Sequence, residues 1–139
     1  MNLYFAGSIS GGRAFLSTYI DMVTFLQYKE HVVLTEHIIK PDVVEHENQY
    51  TDNQIYDRDI NWLRQSDALI AEVSNPSLGV GIEIATALQQ DKPVLCLVHD
   101  EVFLTKMITG NRHPRLRVVR YEKSADWQRA MDEFIESMS

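Results

Sequence analysis

A chain of 139 residues with a formal net charge of −7 is of single-domain size and long enough to bury its own core. Its 45% hydrophobic and 24% charged residues mark it as globular rather than disordered, and its acidity argues against a nucleic-acid polymer as partner, since such proteins gather Lys and Arg to displace counterions. No run of about 18 apolar residues reaches across a bilayer, no basic-then-apolar leader opens the chain, and the lone Cys96 excludes an internal disulfide, so a cytosolic or nuclear protein without membrane contact is expected.

In chain order, the apolar run 3–6 reads as a first strand. It leads through Gly7-Ser-Ile-Ser-Gly-Gly-Arg13 into a helix over 14–28, where Phe15, Leu16, Tyr19, Ile20, Val23 and Leu26 recur at helical spacing. A second strand at 32–34 precedes a polar, unpatterned stretch, 41–53, expected to be a mobile surface loop. The helix 55–65 follows, with Ile55, Ile60, Trp62 and Leu63 on its apolar stripe. Strand 68–73, helix 80–89, strand 94–98, strand 118–121 and helix 127–138, with Ser124 as its N-cap, complete the chain. Cys96 falls inside the fourth strand and reads as buried and inert.

The strand runs are continuous rather than alternating, as strands covered on both faces should be. Strands alternating with helices imply βαβ crossovers, a parallel sheet and an α/β class. For five strands the expected doubly wound order is the flavodoxin-like 2-1-3-4-5, with helices on both faces and a ligand crevice where strands 1 and 3 diverge. Two Gly/Ser turns leave those strands: Gly7-Ser-Ile-Ser-Gly and Val73-Ser-Asn-Pro-Ser-Leu-Gly-Val-Gly81. Each aims backbone N–H groups and the positive end of a helix dipole at one point, which suits a phosphate. Motif and topology thus select the same crevice.

Other nucleotide motifs are absent. Gly7–Gly12 lacks the G-x-G-x-x-G spacing, no P-loop sequence exists, and the five histidines make no H-x-x-x-H pair. His46 between Glu45 and Glu47 reads as a solvated loop. Carboxylate chemistry remains. Glu83, among Val80, Ile82 and Ile84 on the first turn of its helix, should face the crevice, and Asp59 lies on a helix whose start approaches it. Two carboxyl groups about 5 Å apart would suit retaining glycosidic cleavage. The blander readings are dipole compensation for Glu83, a surface pairing of Asp59 with Arg58 or Arg64, a core role for Tyr4, and turn or cap roles for Ser8 and Ser77.

The chain resembles the 2′-deoxynucleoside 5′-monophosphate N-hydrolases, relatives of the nucleoside 2-deoxyribosyltransferases. The matching stretches, in order, begin with Tyr4-Phe-Ala-Gly-Ser-Ile-Ser-Gly-Gly-Arg13, Leu34-Thr-Glu-His37 and Arg58-Asp-Ile-Asn-Trp-Leu-Arg-Gln65. Ala71-Glu-Val-Ser-Asn-Pro-Ser-Leu-Gly-Val-Gly-Ile-Glu83 and Leu104-Thr-Lys-Met-Ile-Thr-Gly110 follow. The most specific is Pro76-Ser-Leu-Gly-Val-Gly81 followed by Glu83. The resemblance implies a Rossmann-like homodimer that needs no cofactor or metal and cleaves deoxynucleoside monophosphates to free base and 2-deoxyribose 5-phosphate. It further implies that Glu83 is the nucleophile forming a deoxyribosyl ester, that Tyr4 orients it, and that Asp59 assists at the sugar and departing base. Gly7, Ser8, Ile9, Ser10, Gly11, Arg13, Ser77 and Gly79 would bind the substrate, and Thr105 would reach the phosphate of the neighbouring subunit. Ser10 stands where many members carry Arg, Ile82 replaces a Tyr and Ala6 a Cys; these departures bear on phosphate affinity and base preference. The same residues admit a deoxyribosyltransferase, a glycosidase of ribonucleotides such as CMP, or a non-catalytic nucleotide sensor. Intact Tyr4, Asp59 and Glu83 argue against the sensor.

Overall fold

The computed structural model describes residues 1–9 and 14–138. Among them, the apolar runs form strands β1 (Asn2–Ala6), β2 (Val32–Val33), β3 (Ala68–Glu72), β4 (Val94–His99) and β5 (Leu116–Tyr121). They pair in parallel in the order β2-β1-β3-β4-β5, the order expected from the sequence. The helices are α1 (Leu16–Tyr28), α2 (Val43–Glu47), α3 (Asp52–Gln65), α4 (Leu78–Gln89), α5 (Lys106–Thr109) and α6 (Ser124–Glu136), with a 3₁₀ turn at Glu36–Ile39. None among the described residues is long and apolar enough to cross a membrane.

Successive residues of a strand point to opposite faces, and β1 shows what this does. Leu3 and Phe5 enter a layer with Met22 and Leu26 of α1 and Trp127 and Phe134 of α6. Tyr4 and Ala6 enter the other layer, with Leu63 of α3 and Val80 and Ile84 of α4. Each large side chain buried this way contributes about 1.5–3 kcal/mol, so both layers fix which way Tyr4 faces.

Several boundaries differ from the sequence expectation. The stretch 41–53 is not a loop: it contains α2, with Val43 buried, and the beginning of α3. That helix starts at Asp52 because Thr51 and Gln54 cap it reciprocally. The Thr51 hydroxyl accepts from the Gln54 N–H at 3.2 Å, and the Gln54 side chain accepts from the Thr51 N–H at 2.9 Å. Ser124 is the first residue of α6 rather than its cap. The entering backbone is held by Asp126, whose carboxylate accepts from the N–H groups of Glu122 and Lys123 at 3.1 and 2.9 Å. β5 begins at Leu116 and exposes Arg117, Val118 and Arg120, because it is the sheet edge, where charges deter pairing with another chain.

The carboxyl ends of the last three strands are bolted together around Glu72, which is fully buried. Its carboxylate accepts from the Ser74 N–H at 2.7 Å, the Ser74 hydroxyl at 2.8 Å and the Tyr121 hydroxyl at 2.6 Å. Ser74 Oγ in turn accepts from the His99 N–H at 2.8 Å. Burial pushes the Glu72 carboxyl above its ordinary range, and these donors pull it back. Tyr121→Phe removes one donor to a buried acid and is expected to cost about 1.5–3 kcal/mol. Urea unfolding checks this: the midpoint should drop at an unchanged slope.

Candidate active site

The crevice lies where the topology puts it, at the carboxyl ends of β1 and β3, the sheet's switch point. Tyr4, Gly7, Ile9, Asp59 and Glu83 line one cleft together with Thr35 and His37. Tyr4 comes from β1, Asp59 from the middle of α3 and Glu83 from α4, so three elements deliver three polar groups to the layer that Tyr4 faces. Asp59 therefore approaches from mid-helix, not from a helix start. Glu83 stands on the second turn of α4 rather than the first. The helix begins two residues earlier than expected because Ser77 caps it, its hydroxyl accepting from the Val80 N–H at 3.3 Å.

Gly79 joins this cap to the carboxylate. A side chain there would lie 3.8 Å from Ser77 Oγ and 4.0 Å from Glu83 Oε1, so a bare backbone keeps the helix start open beside the acid. Gly7 is glycine for a different reason: a Cβ would meet the Tyr19 ring at 2.9–3.1 Å. The Tyr19 hydroxyl accepts from the Ser8 N–H at 3.1 Å, and Ser8 is buried. Thr105 is exposed and caps α5, its hydroxyl accepting from the Met107 N–H at 3.2 Å; it is not among the residues that line the cleft. Ser10, Gly11 and Arg13 lie outside the described residues.

The electrostatics separate the acids by role. Burial raises the Glu83 carboxyl to about 7; the nearby Asp59 charge also raises it, while the donating Tyr4 hydroxyl and the Arg58 guanidinium oppose. Burial, the two carboxylates and its own hydrogen bond to Glu83 push the Tyr4 phenol far above its ordinary range, so it remains a donor. Burial raises Asp59 as well, and Arg58 opposes through charge and hydrogen bonds. Such a site holds one carboxyl poised near neutrality, kept in place by a phenol, beside a second acid in a different environment.

Sequence reasoning missed His37, Glu47 and Arg58 as parts of this site. Arg58 donates to Asp59 Oδ1 and to Glu47 Oε1, and His37 Nε2 lies 3.4 Å from Glu47 Oε1. Burial and then the Arg58 charge lower His37 below its ordinary value, and Glu47 opposes. Glu47 is thus engaged rather than solvated, and no group of three or more metal-binding side chains occurs among the described residues. A larger concavity of about 740 Å³ lies at the other end of the strands, beside Asp67, Lys92 and Arg115. Lys92 there is spent on the carbonyls of Arg64 and Ser66, Asp91 pairs with Arg115 at 3.5 Å and Asp67 accepts from the Asn2 N–H at 2.8 Å, so chemistry rather than size selects the smaller cleft.

The structure is a doubly wound α/β protein with a tyrosine and two carboxyl groups lining one cleft at its switch point. The chain belongs to the nucleoside 2-deoxyribosyltransferase family, whose model matches residues 3–129. Among its relatives is a Danio rerio protein named 5-hydroxymethyl-dUMP N-hydrolase, 37% identical over 100% of this chain and 99% of its own. One from Methanococcoides burtonii, provisionally named 2′-deoxynucleoside 5′-phosphate N-hydrolase 1, is 39% identical over 85% of this chain and 97% of its own. The solved structure of Clostridium botulinum CMP N-glycosidase, BcmB, superposes with a TM-score of 0.73 over 96% of this chain and 99% of its own at 18% identity, a likeness of fold.

Proposed function

We propose that this protein hydrolyses the N-glycosidic bond of 2′-deoxynucleoside 5′-monophosphates, releasing free base and 2-deoxyribose 5-phosphate. The observation that carries the reading is the meeting of Tyr4, Asp59 and Glu83 in one cleft at the switch point, in a chain whose relatives are named for this reaction. In the proposed mechanism Glu83, as carboxylate, stabilises the oxocarbenium-like charge at C1′ and then bonds to it, while Asp59 assists the departing base. The C1′–N bond breaks with its electron pair leaving on the base, which takes up a proton. Water then cleaves the deoxyribosyl ester and restores Glu83. A deoxyribose ionises more readily than a ribose because no 2′-oxygen withdraws electrons from C1′. Phosphate held by Ser77 and the start of α4 supplies binding energy that orients the reacting end.

The working unit in this reading is a homodimer. Leu78 and Ile82 on α4, and Phe103 and Met107 beside Thr105, are 91%, 57%, 79% and 82% exposed. They follow the neighbouring strands β3 and β4, and Leu104 between them packs into the α4 layer. A second copy covering these side chains would bring its Thr105 to the phosphate. With Cys96 sealed in β4 and its thiol pushed to about 12, the reading places the enzyme in the cytosol or nucleus.

The test offers a deoxynucleoside monophosphate together with an excess of a different free base. Free base and deoxyribose 5-phosphate should accumulate, with little exchanged nucleotide. Dominant exchange, above all without phosphate on the sugar, would establish the transferase instead, and preferred turnover of CMP would establish the ribonucleotide glycosidase.

A further inference from the structure

Arg58 makes more contacts at the site than its sequence context suggests. Adjacent helical residues point about 100° apart and do not normally face each other. Yet Arg58 Nε donates to Asp59 Oδ1 at 3.0 Å, and NH2 lies 2.9 Å from the same oxygen in an ion pair. What folds the side chain back is the residue one turn on. The guanidinium carbon lies 4.7 Å from the Trp62 ring centre, with the Tyr50 ring at 5.7 Å, a geometry in which a cation is attracted to the ring face. NH2 also donates to Glu47 Oε1 at 2.8 Å and lies 3.4 Å from His37 Nε2. The Arg58 side chain is only 19% exposed.

We propose that Arg58 is a positioning residue for the reaction: it fixes the Asp59 carboxylate toward the cleft and fastens α2 beside the site through Glu47. The inference rests on the hydrolase reading. The Nε hydrogen bond and the NH2 ion pair both fall on Oδ1, which leaves Oδ2 as the Asp59 oxygen to meet the sugar or departing base. The five-residue α2 is too short to be stable alone; buried Val43 and the Glu47–Arg58 pair hold it in place. Only a fork of donors lying flat on an aromatic ring joins two acids in this way; lysine, a point charge, does not.

The groups facing Arg58 are Asp59 on its own helix, Glu47 on α2 and His37 on the 3₁₀ turn, with Tyr4 of β1 and Glu83 of α4 across the cleft. Its positive charge favours the ionised forms of Asp59 and Glu83. Removing that charge raises both acids, so the acid limb of activity moves to higher pH. A purely structural role would lower activity without moving the limb.

The experiment measures kcat and KM for base release between about pH 5 and 9 with the full chain, its Arg58→Gln and Arg58→Lys variants, and Glu47→Gln. Arg58→Gln should lower kcat by roughly 10²-fold, as expected for a displaced catalytic group. It should also move the acid limb upward by about one pH unit or more. Arg58→Lys should leave the limb near its original place and still lose kcat; Glu47→Gln should lower kcat less than Arg58→Gln does. Carboxyl ¹³C NMR titration of Asp59 in the wild type and both Arg58 variants reads the same effect without turnover, and its midpoint should rise in Arg58→Gln. A folded Arg58→Gln protein with wild-type kcat, limb and Asp59 titration overturns the proposal, and so does Arg58→Lys with unchanged kcat. A wild-type protein that releases no base overturns the hydrolase reading instead, and the Asp59 titration still decides whether Arg58 governs that acid.

Discussion

Glu83→Gln should lower kcat on the order of 10⁴-fold while the nucleotide still binds. Gln keeps the shape of the side chain and an oxygen for the Tyr4 hydroxyl to donate to, so the cleft survives and only the nucleophilic charge is lost. Free base released over time measures the first effect, and calorimetric titration with a deoxynucleoside monophosphate measures the second. The wild-type pH profile belongs to the same experiment. With the Glu83 carboxyl raised to about 7 in the free protein, the reactive carboxylate fills as pH rises, so kcat/KM should rise through that value to a plateau above it and fall as acid protonates the group. Near-normal base release from Glu83→Gln would remove Glu83 from the nucleophile's role.

The second large effect concerns the phosphate. Ser77 Oγ accepts from Val80 and Thr105 Oγ from Met107; a hydroxyl so engaged still has its proton to donate. Ser77→Ala and Thr105→Val should each remove a hydrogen bond to a charged group, about 1.5–3 kcal/mol, or roughly ten- to hundred-fold in kcat/KM for monophosphates. Residual activity on unphosphorylated nucleosides should barely change. Ser77→Ala also removes the cap of α4, worth about 1 kcal/mol of stability, and the nucleoside control separates that cost from phosphate recognition. Thr105→Val mixed with Glu83→Gln should recover activity after subunit exchange, because one pocket of each heterodimer then holds wild-type Glu83 and its neighbour's wild-type Thr105. Demonstrated exchange without recovery would mean that Thr105 serves its own subunit's pocket, or none.

The sheet was readable because parallel strands buried on both faces appear as bare apolar runs, and the run order leaves few right-handed ways to wind them. Glu83 followed from its place behind a Gly/Ser turn, whereas Tyr4 read on its own as a core residue and entered the site only through the family resemblance. What stayed hidden has physical causes. α2 is too short for a helical period to show, and only buried Val43 marks it. Thr51-Asp-Asn-Gln54 did carry a capping signature, overlooked because the apolar stripe begins later, at Ile55. The pairing of Glu47 with Arg58 joins residues on different helices, and nothing local to either encodes it.

In the proposed mechanism, the two-faced packing of β1 makes the reaction depend on parity. Leu3 and Phe5 belong to one layer and Tyr4 to the other, so sliding β1 by a single position against β3 would deliver an aliphatic or a phenyl group to Glu83 and bury the phenol on the far side. The Gly7–Tyr19 contact stands just beyond the strand and resists that slide. In that mechanism catalytic competence is a digital property of the fold, present in one register and absent in the next, and the burial energy of the two layers is what holds the register.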